Sequence, residues 1–367
     1  MHIPDGYLSP STCAVAFLIA APFWWVAQRR VQRLLHTRLV PLLAVVSAFS
    51  FVIMMFNLPL PGGTTGHAVG MAVAAIALGP WAAILAISMA LFIQAVFFGD
   101  GGVTALGANC LNMAIVGPLA AYGLYRLIAA GSAITARRRV VAAAAAGYCA
   151  INISALLAAV EFGVQPLLFT DAAGTPLYAP YPLSVAVPAM LLGHLTFAGL
   201  AEAVVTGGIV AYLQKANPDL LRATAGSAGN APPARLSGWR PVRSLWLGMA
   251  VVMILSPLGL LAAGTAWGEW GAADFQDAGA RAEITRASGN IAPPQGVPAG
   301  MRRLEALWSA PMPDYAPSFM QNAHVGYVLS AIMGSGMILL AFYLLARLTR
   351  PAGLTRPAGY RPSSGRR

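Results

Sequence analysis

Residues 39–99 contain no Asp, Glu, Lys or Arg, a run of 61 positions in a chain of 367. A water-facing surface cannot be built from such a run, because folded soluble proteins carry their charged side chains on the outside. The segment has to sit in lipid, so the chain reads as a polytopic membrane protein. Composition agrees: 58% of residues are hydrophobic and 10% charged, with a mean hydropathy of +0.68. An ordinary soluble enzyme is excluded.

Apolar windows fall at 12–27, 39–56, 68–79, 81–98, 110–130, 140–160, 183–213, 245–265 and 325–346. The third is short for the roughly 20 residues a bilayer helix needs, and is expected to be re-entrant or tilted. Basic residues set the orientation. Arg29, Arg30, Arg33 and Arg38 follow the first window, Arg137, Arg138 and Arg139 the fifth, and a basic tail the last, which makes those loops cytoplasmic. With the amino terminus outside the cytoplasm, only Arg281, Arg286, Arg302 and Arg303 of the 23 basic residues fall in outer loops. All of the 12 acids except Glu202 and Asp219 then fall outside. The net charge of +11 is thus a matter of topology, and nucleic acid is discounted as a partner. The lipid bilayer of the cell's inner (plasma) membrane is the expected setting.

The expected architecture is all-α: a seven-span helical bundle over residues 1–213, a cytoplasmic linker over 214–243 rich in Ala, Gly, Pro and Arg, a two-span unit over 244–347, and a basic cytoplasmic tail over 348–367. Between the last two spans, an outer loop at 266–323 carries two proline-rich stretches and is expected to be partly ordered without a large core. Met1 to Ser11 has only Asp5 as a charged side chain, so it does not read as a cleaved signal peptide, and a retained amino terminus is expected.

Several chemistries are absent from the sequence. Lys215 is the only lysine and follows Gln214, so no Gly-Lys-Ser/Thr phosphate loop exists and no nucleotide is expected to bind this chain. No serine sits in a G-x-S-x-G elbow. Cys13, Cys110 and Cys149 lie in apolar stretches without C-x-x-C spacing and read as buried packing residues.

Three glycine-rich islands interrupt the first seven windows on the expected outer side: MHIPDGYLSPS, NLPLPGGTTGHAVG and GDGGVTALGANCLNMA. Irregular backbone at membrane depth is tolerated where it is buried in protein or lines a cavity, so the three together suggest a binding site. His2 is the most informative residue. The Met1 α-amine, the His2 backbone nitrogen and His2 Nδ1 can close fused five- and six-membered rings on one metal ion, leaving one equatorial position open. An all-nitrogen planar set favours Ni(II) or Cu(II). His67, at the end of the second island, is the candidate fourth donor; the alternative for either histidine is a hydrogen-bonded cap. His36, His194 and His324 read as structural.

MHIPDGYLSP, PGGTTGH and GGVTALGANCLNM resemble the CbiM/NikM family, the substrate-binding components of energy-coupling factor transporters for cobalt and nickel. The resemblance covers roughly residues 1–220 and implies metal ligation by Met1, His2 and His67. Asn109 and Asn112 match the family's Gly-Ala-Asn motif, with a supporting or loop-fixing role or plain helix capping as the alternatives. SPLGLLAAGTAWGEW and the two final windows look like the small accessory component of these systems, of NikN or PDGLE type, fused to the binding component. The resemblance implies capture of Ni(II) or Co(II) at the outer face and reorientation driven by a transmembrane coupling protein and separate cytoplasmic ATPases. This chain would then be a transport component and not an enzyme. Glu202 is the one acid inside an expected span and is a coupling candidate. A secondary cation transporter would need more such acids. A membrane metalloenzyme would need an open metal position and a base, and no H-E-x-x-H is present.

Overall fold

The computed structural model describes residues 1–35, 40–61, 63–224, 240–262, 264–317 and 319–348. Residues 225–239, half of the expected linker, and nearly all of the basic tail, together with His36, lie outside the described residues. Helix α1 (Pro10–Leu35) starts where Ser9 Oγ accepts the Thr12 N–H at 3.1 Å and Pro10 fills the first helical position, where a missing N–H costs nothing. Then come α2 (Val40–Met54), a two-stranded hairpin of β1 (Leu58–Leu60) and β2 (Thr64–Gly66), and α3 (Met71–Leu78). Helix α4 (Pro80–Ile93) continues through a π-helical stretch, Gln94–Phe98, while α5 (Leu106–Asn109) runs through another, Cys110–Val116, into α6 (Gly117–Ala129). The long α7 (Arg137–Leu168) is followed by α8 (Leu183–Gly193), a third π-helical stretch and α9 (Gly199–Ala216). After α10 (Pro218–Thr224) the remaining helices are α11 (Arg240–Leu255), α12 (Ala278–Ala287), α13 (Ala299–Glu305) and α14 (Ala323–Leu348).

Among the described residues six helical runs are long and apolar enough to cross a membrane, and Val40–Met54 and Leu245–Leu261 are shorter apolar helices. The window at 68–79 contracts to the eight residues of α3, too few for a bilayer and almost wholly buried between neighbours. Leu18, Leu127, Val204 and Leu340 are exposed on the outside of the bundle, as lipid-facing residues are. The protein is an all-α membrane protein. Helix α7 is the central post, packing on α6, α8 and α9, while α2 receives both α14 and α11.

Two expectations change on the structure. The segment 266–323 is folded: Trp267, Trp270, Phe275, Ile284 and Met301 are buried, and Trp267 stacks edge-on against Phe162 of α7. Its prolines shape turns around an aromatic core that proline content alone does not reveal. Residues 218–224, taken as linker, are helical, with Leu220 and Leu221 buried.

The residues beyond 240 meet the earlier helices through close backbone approach. A Cβ on Gly259 would stand 2.1 Å from the Met55 carbonyl oxygen, and one on Gly334 would stand 2.1 Å from the Phe51 ring. No side chain fits at either point. Gly300 N–H donates to Leu177 O at 2.8 Å, and Tyr7 Oη donates to Trp270 O at 2.8 Å.

Candidate metal centre

The amino-terminal segment is not a surface tail. Met1 is 2% exposed and His2 1%, and Ile3, Tyr7 and Leu8 are buried behind them. Backbone groups taken out of water need partners, and they come from the third glycine-rich island. Asn109 clamps Ile3 from both sides: Ile3 N–H donates to Asn109 Oδ1 at 2.8 Å, and Asn109 Nδ2 donates to Ile3 O at 3.0 Å. Gly102 N–H adds a second bond to Ile3 O at 2.8 Å. Asp5 accepts the N–H groups of Val103 and Thr104, and Ser9 N–H donates to Gln165 Oε1. These bonds stitch residues 3–9 to 102–109 and to α7, which fixes Met1 and His2 in the interior.

His67 arrives from the hairpin. The register Leu58↔Gly66 to Leu60↔Thr64 sets β2 directly before it, and Gly70, at φ 75°, turns the chain into α3. The His67 ring is 5% exposed and stacks on His2, with centroids 5.0 Å apart and an interplanar angle of 30°. His67 Nδ1 lies 3.1 Å from Ala68 O, and a proton on Nδ1 donated to that carbonyl leaves the Nε2 lone pair free. Burial, followed by the nearby charges of His2 and the amino terminus, holds the imidazole well below its ordinary pKa. It is therefore neutral at physiological pH, the form a metal needs. The Nε2 atoms of His2 and His67 are both buried without a hydrogen-bond partner among the described residues. Such groups are costly unless something meets them.

Two carboxylates face the donors expected from the sequence, and sequence reasoning assigned neither. The Met1 ammonium lies 3.0 Å from Glu269 Oε1, and His2 Nδ1 lies 2.8 Å from Asp100 Oδ1. Burial pushes the Asp100 carboxyl up, but the adjoining His2, then His67 and a hydrogen bond from Tyr315 Oη, outweigh it and hold it below the usual carboxylate range. Gln94 Nε2 donates to Asp100 Oδ2 at 3.1 Å, so that carboxylate is held both by Tyr315, in the turn at 313–315, and by the π-helical end of α4. In this conformation the Met1 nitrogen and His2 Nδ1 each face a carboxylate. Among the described residues, ligand atoms of His2, Asp100 and Glu269 all lie within 4.8 Å of one another.

The remaining sequence candidates separate. Asn109 fixes the amino-terminal segment, whereas Asn112 lies one turn further along and donates from Nδ2 to Glu161 Oε2 at 2.7 Å, away from Met1 and His2. Glu161 falls inside α7, because that helix runs on to Leu168 past the window that ended at 160; Glu202 is therefore not the sole acid within a span. Glu202 is fully buried and bonds the backbone just after His67. His194 Nδ1 lies 2.8 Å from Met190 O within its own helical run. Replacing Asn109 by Ala leaves the buried Ile3 N–H without an acceptor, at a cost of about 1–3 kcal/mol. Asn109→Ala is expected to lower the thermal midpoint of the purified chain and to weaken its hold on metal, both measurable in one metal-dependent melting series.

Residues 2–220 match the family described as the cobalt uptake substrate-specific transmembrane region, CbiM. The chain belongs to the CbiM family. Residues 243–351 of this CbiM-family chain also match the PDGLE domain. It is 60% identical to the fused nickel transport protein NikMN of Rhodobacter capsulatus over 356 residues, spanning 96% of this chain and 100% of that protein. Identity to the probable fused nickel transport protein LarMN of Lactiplantibacillus plantarum is 43%, over 95% and 97% of the two chains. A crystal structure of a truncated transition metal transporter superposes with a TM-score of 0.55 at 53% identity, covering 58% of this chain and 98% of that one. The CbiM-family relatives named here are transport proteins, and this chain is a membrane transport component of the same kind.

Proposed function

We propose that the chain is the substrate-binding membrane component of an ATP-driven importer for Ni(II) or Co(II). The observation that carries the reading is the meeting of the Met1 amine, His2 and His67 in one buried place, with His67 Nε2 lacking a hydrogen-bond partner among the described residues. The three residues lie on two segments that share no secondary structure, and a core histidine pair has no need of a buried chain terminus beside it. The ion is captured from the outer face. The Met1 ammonium and the His2 amide each release one proton to the outer solution; the amine turns from Glu269 to the ion, His2 Nδ1 turns from Asp100, and His67 completes a four-nitrogen set. The deprotonated amide offsets one of the ion's two charges, and the neighbouring carboxylates offset the remainder in a site shielded from water, where an unbalanced charge is expensive.

Residues 1–213 form the binding unit in this reading, and the residues after the 214–243 linker form a fused accessory unit that contributes Glu269. A coupling membrane protein and cytoplasmic ATPases supply the energy, since this chain carries no phosphate loop. The nickel-transport names of the fused relatives support Ni(II), and the family description supports Co(II).

A mixed nitrogen and oxygen site of His2, Asp100 and Glu269 is the second reading, favoured by the closeness of their ligand atoms. The two differ in geometry, because planar four-coordination belongs to an all-nitrogen set and six-coordination to a carboxylate-rich one. Visible absorption of the purified, Ni(II)-loaded chain decides between them. The expected result is one ion per chain with a diamagnetic planar spectrum. A paramagnetic six-coordinate spectrum selects the mixed site, and a chain that retains no ion overturns both.

A further inference from the structure

Helix α3 begins inside the protein, where the N–H groups of its first turn have no water to satisfy them. Gly70, its cap, has no side chain to offer. The acceptor comes from another helix: Glu202 of α9, 0% exposed, takes the Val69 N–H at 2.7 Å and the Gly70 N–H at 2.9 Å, both on Oε2. A carboxylate at a helix N-terminus is favoured by the helix dipole as well as by its hydrogen bonds. On the other side Ser50 Oγ donates to Val69 O, so residues 69 and 70 are gripped from α9 and α2 at once. These residues are the second and third after His67. The Ala68 carbonyl between them is the one that faces His67 Nδ1.

We propose that Glu202 is the positioning residue of His67. It anchors the turn at 68–70, and through that turn holds the imidazole against His2 with Nε2 directed to the ion; the inference rests on the reading of His67 as a metal donor. An exposed coupling contact does not fit a side chain with no accessible surface. A carboxylate buried to that extent at membrane depth is retained where its position is needed, and here it grips the turn that follows the donor residue His67, reaching Gly70 across 132 residues of sequence.

The test compares Glu202→Gln, Glu202→Ala, His67→Ala and Thr206→Val in the full purified chain loaded with Ni(II). Thr206 lies one turn along α9, is equally buried, and its hydroxyl has no hydrogen-bond partner among the described residues, so it controls for a change in the helix itself. Three readouts are taken: Ni(II) affinity, the visible spectrum of the bound ion, and the metal-free thermal midpoint. Glu202→Ala is expected to bind about 10- to 100-fold more weakly, the range for loss of a group that orients a ligand, and its residual bound ion should show the band of His67→Ala. Glu202→Gln can keep both hydrogen bonds through its amide oxygen but removes the acid group, and should weaken binding about tenfold. Thr206→Val should bind as the native chain does.

A native spectrum and affinity in Glu202→Ala overturn the proposal. If Glu202→Ala does not fold, Glu202→Gln decides: weakened binding with a shifted band at a native midpoint supports positioning, and a lowered midpoint with a native spectrum and affinity assigns Glu202 to folding alone. Native behaviour of His67→Ala would instead sink the donor reading on which the inference stands, an outcome distinct from a defective His67→Ala beside a native Glu202→Gln.

Discussion

Placing one glycine ahead of Met1 is expected to abolish tight retention of Ni(II) or Co(II). The extension converts the Met1 amine into a peptide amide and moves the free amine one residue outward, beyond the fused chelate rings. It also meets a steric obstacle, because Met1 and His2 are among the most buried residues of the chain and Met1 N sits against Glu269. Affinity should fall by at least about 100-fold, the upper range for losing an outer-shell partner, since here a ligand itself is lost. Elemental analysis of the purified chain, with intact mass to define its first residue, gives the readout. The same residues added after Arg367 serve as the control and should leave the ion in place. A side-chain-only role for His2 predicts a different pattern, in which the extension is tolerated and only His2→Ala is damaging. Full retention by the extended chain would remove the terminal amine from the site.

His67→Ala is expected to cost a comparable factor in affinity while sparing the fold. The ring makes one local contact, to the carbonyl of its own neighbour Ala68, and otherwise stacks on His2. Nothing in the hairpin register or in the grip of Glu202 on residues 69 and 70 passes through the imidazole. The metal-free thermal midpoint should therefore move little, and the Ni(II) spectrum should shift to lower energy as one strong nitrogen donor is replaced. A variant that keeps full affinity would reassign His67 to packing.

Much of the membrane architecture was legible in hydropathy, because a helix facing lipid must be apolar along its length and the sequence records that directly. Depth within a helix was less legible. Glu161 read as a loop residue because the apolar window closed at 160, yet α7 continues through Leu168, with Pro166 in its last turn. The short α3 was visible as a short window, but its capping by Glu202 was not, since the pair is joined only by tertiary packing. At the candidate metal centre, His2 and His67 stood out because each is a rare residue type in a glycine-rich island. Asp100 and Glu269 did not, although Asp100 belongs to the third island and Glu269 to the GEW sequence after α11. Acids in polar segments are common, and what sets these two apart is a contact across 268 residues in one case and a stacked imidazole pair in the other. The segment 266–323 was misjudged for a related reason: proline frequency describes turns, whereas its order comes from Trp267 and Trp270 wedged against Tyr7 and Phe162.

The glycine approaches at Gly259 and Gly334 mean that the region beyond residue 240 meets the earlier helices through closely fitted surfaces as well as through the chain that joins them. Covalent continuity then acts mainly on stoichiometry. One polypeptide supplies one Glu269 for every Met1, at an effective concentration no pair of separate chains reaches at ordinary expression levels. Fusion thus fixes the ratio of the parts and synchronises their synthesis, while the interlocking glycines determine how the parts recognise each other.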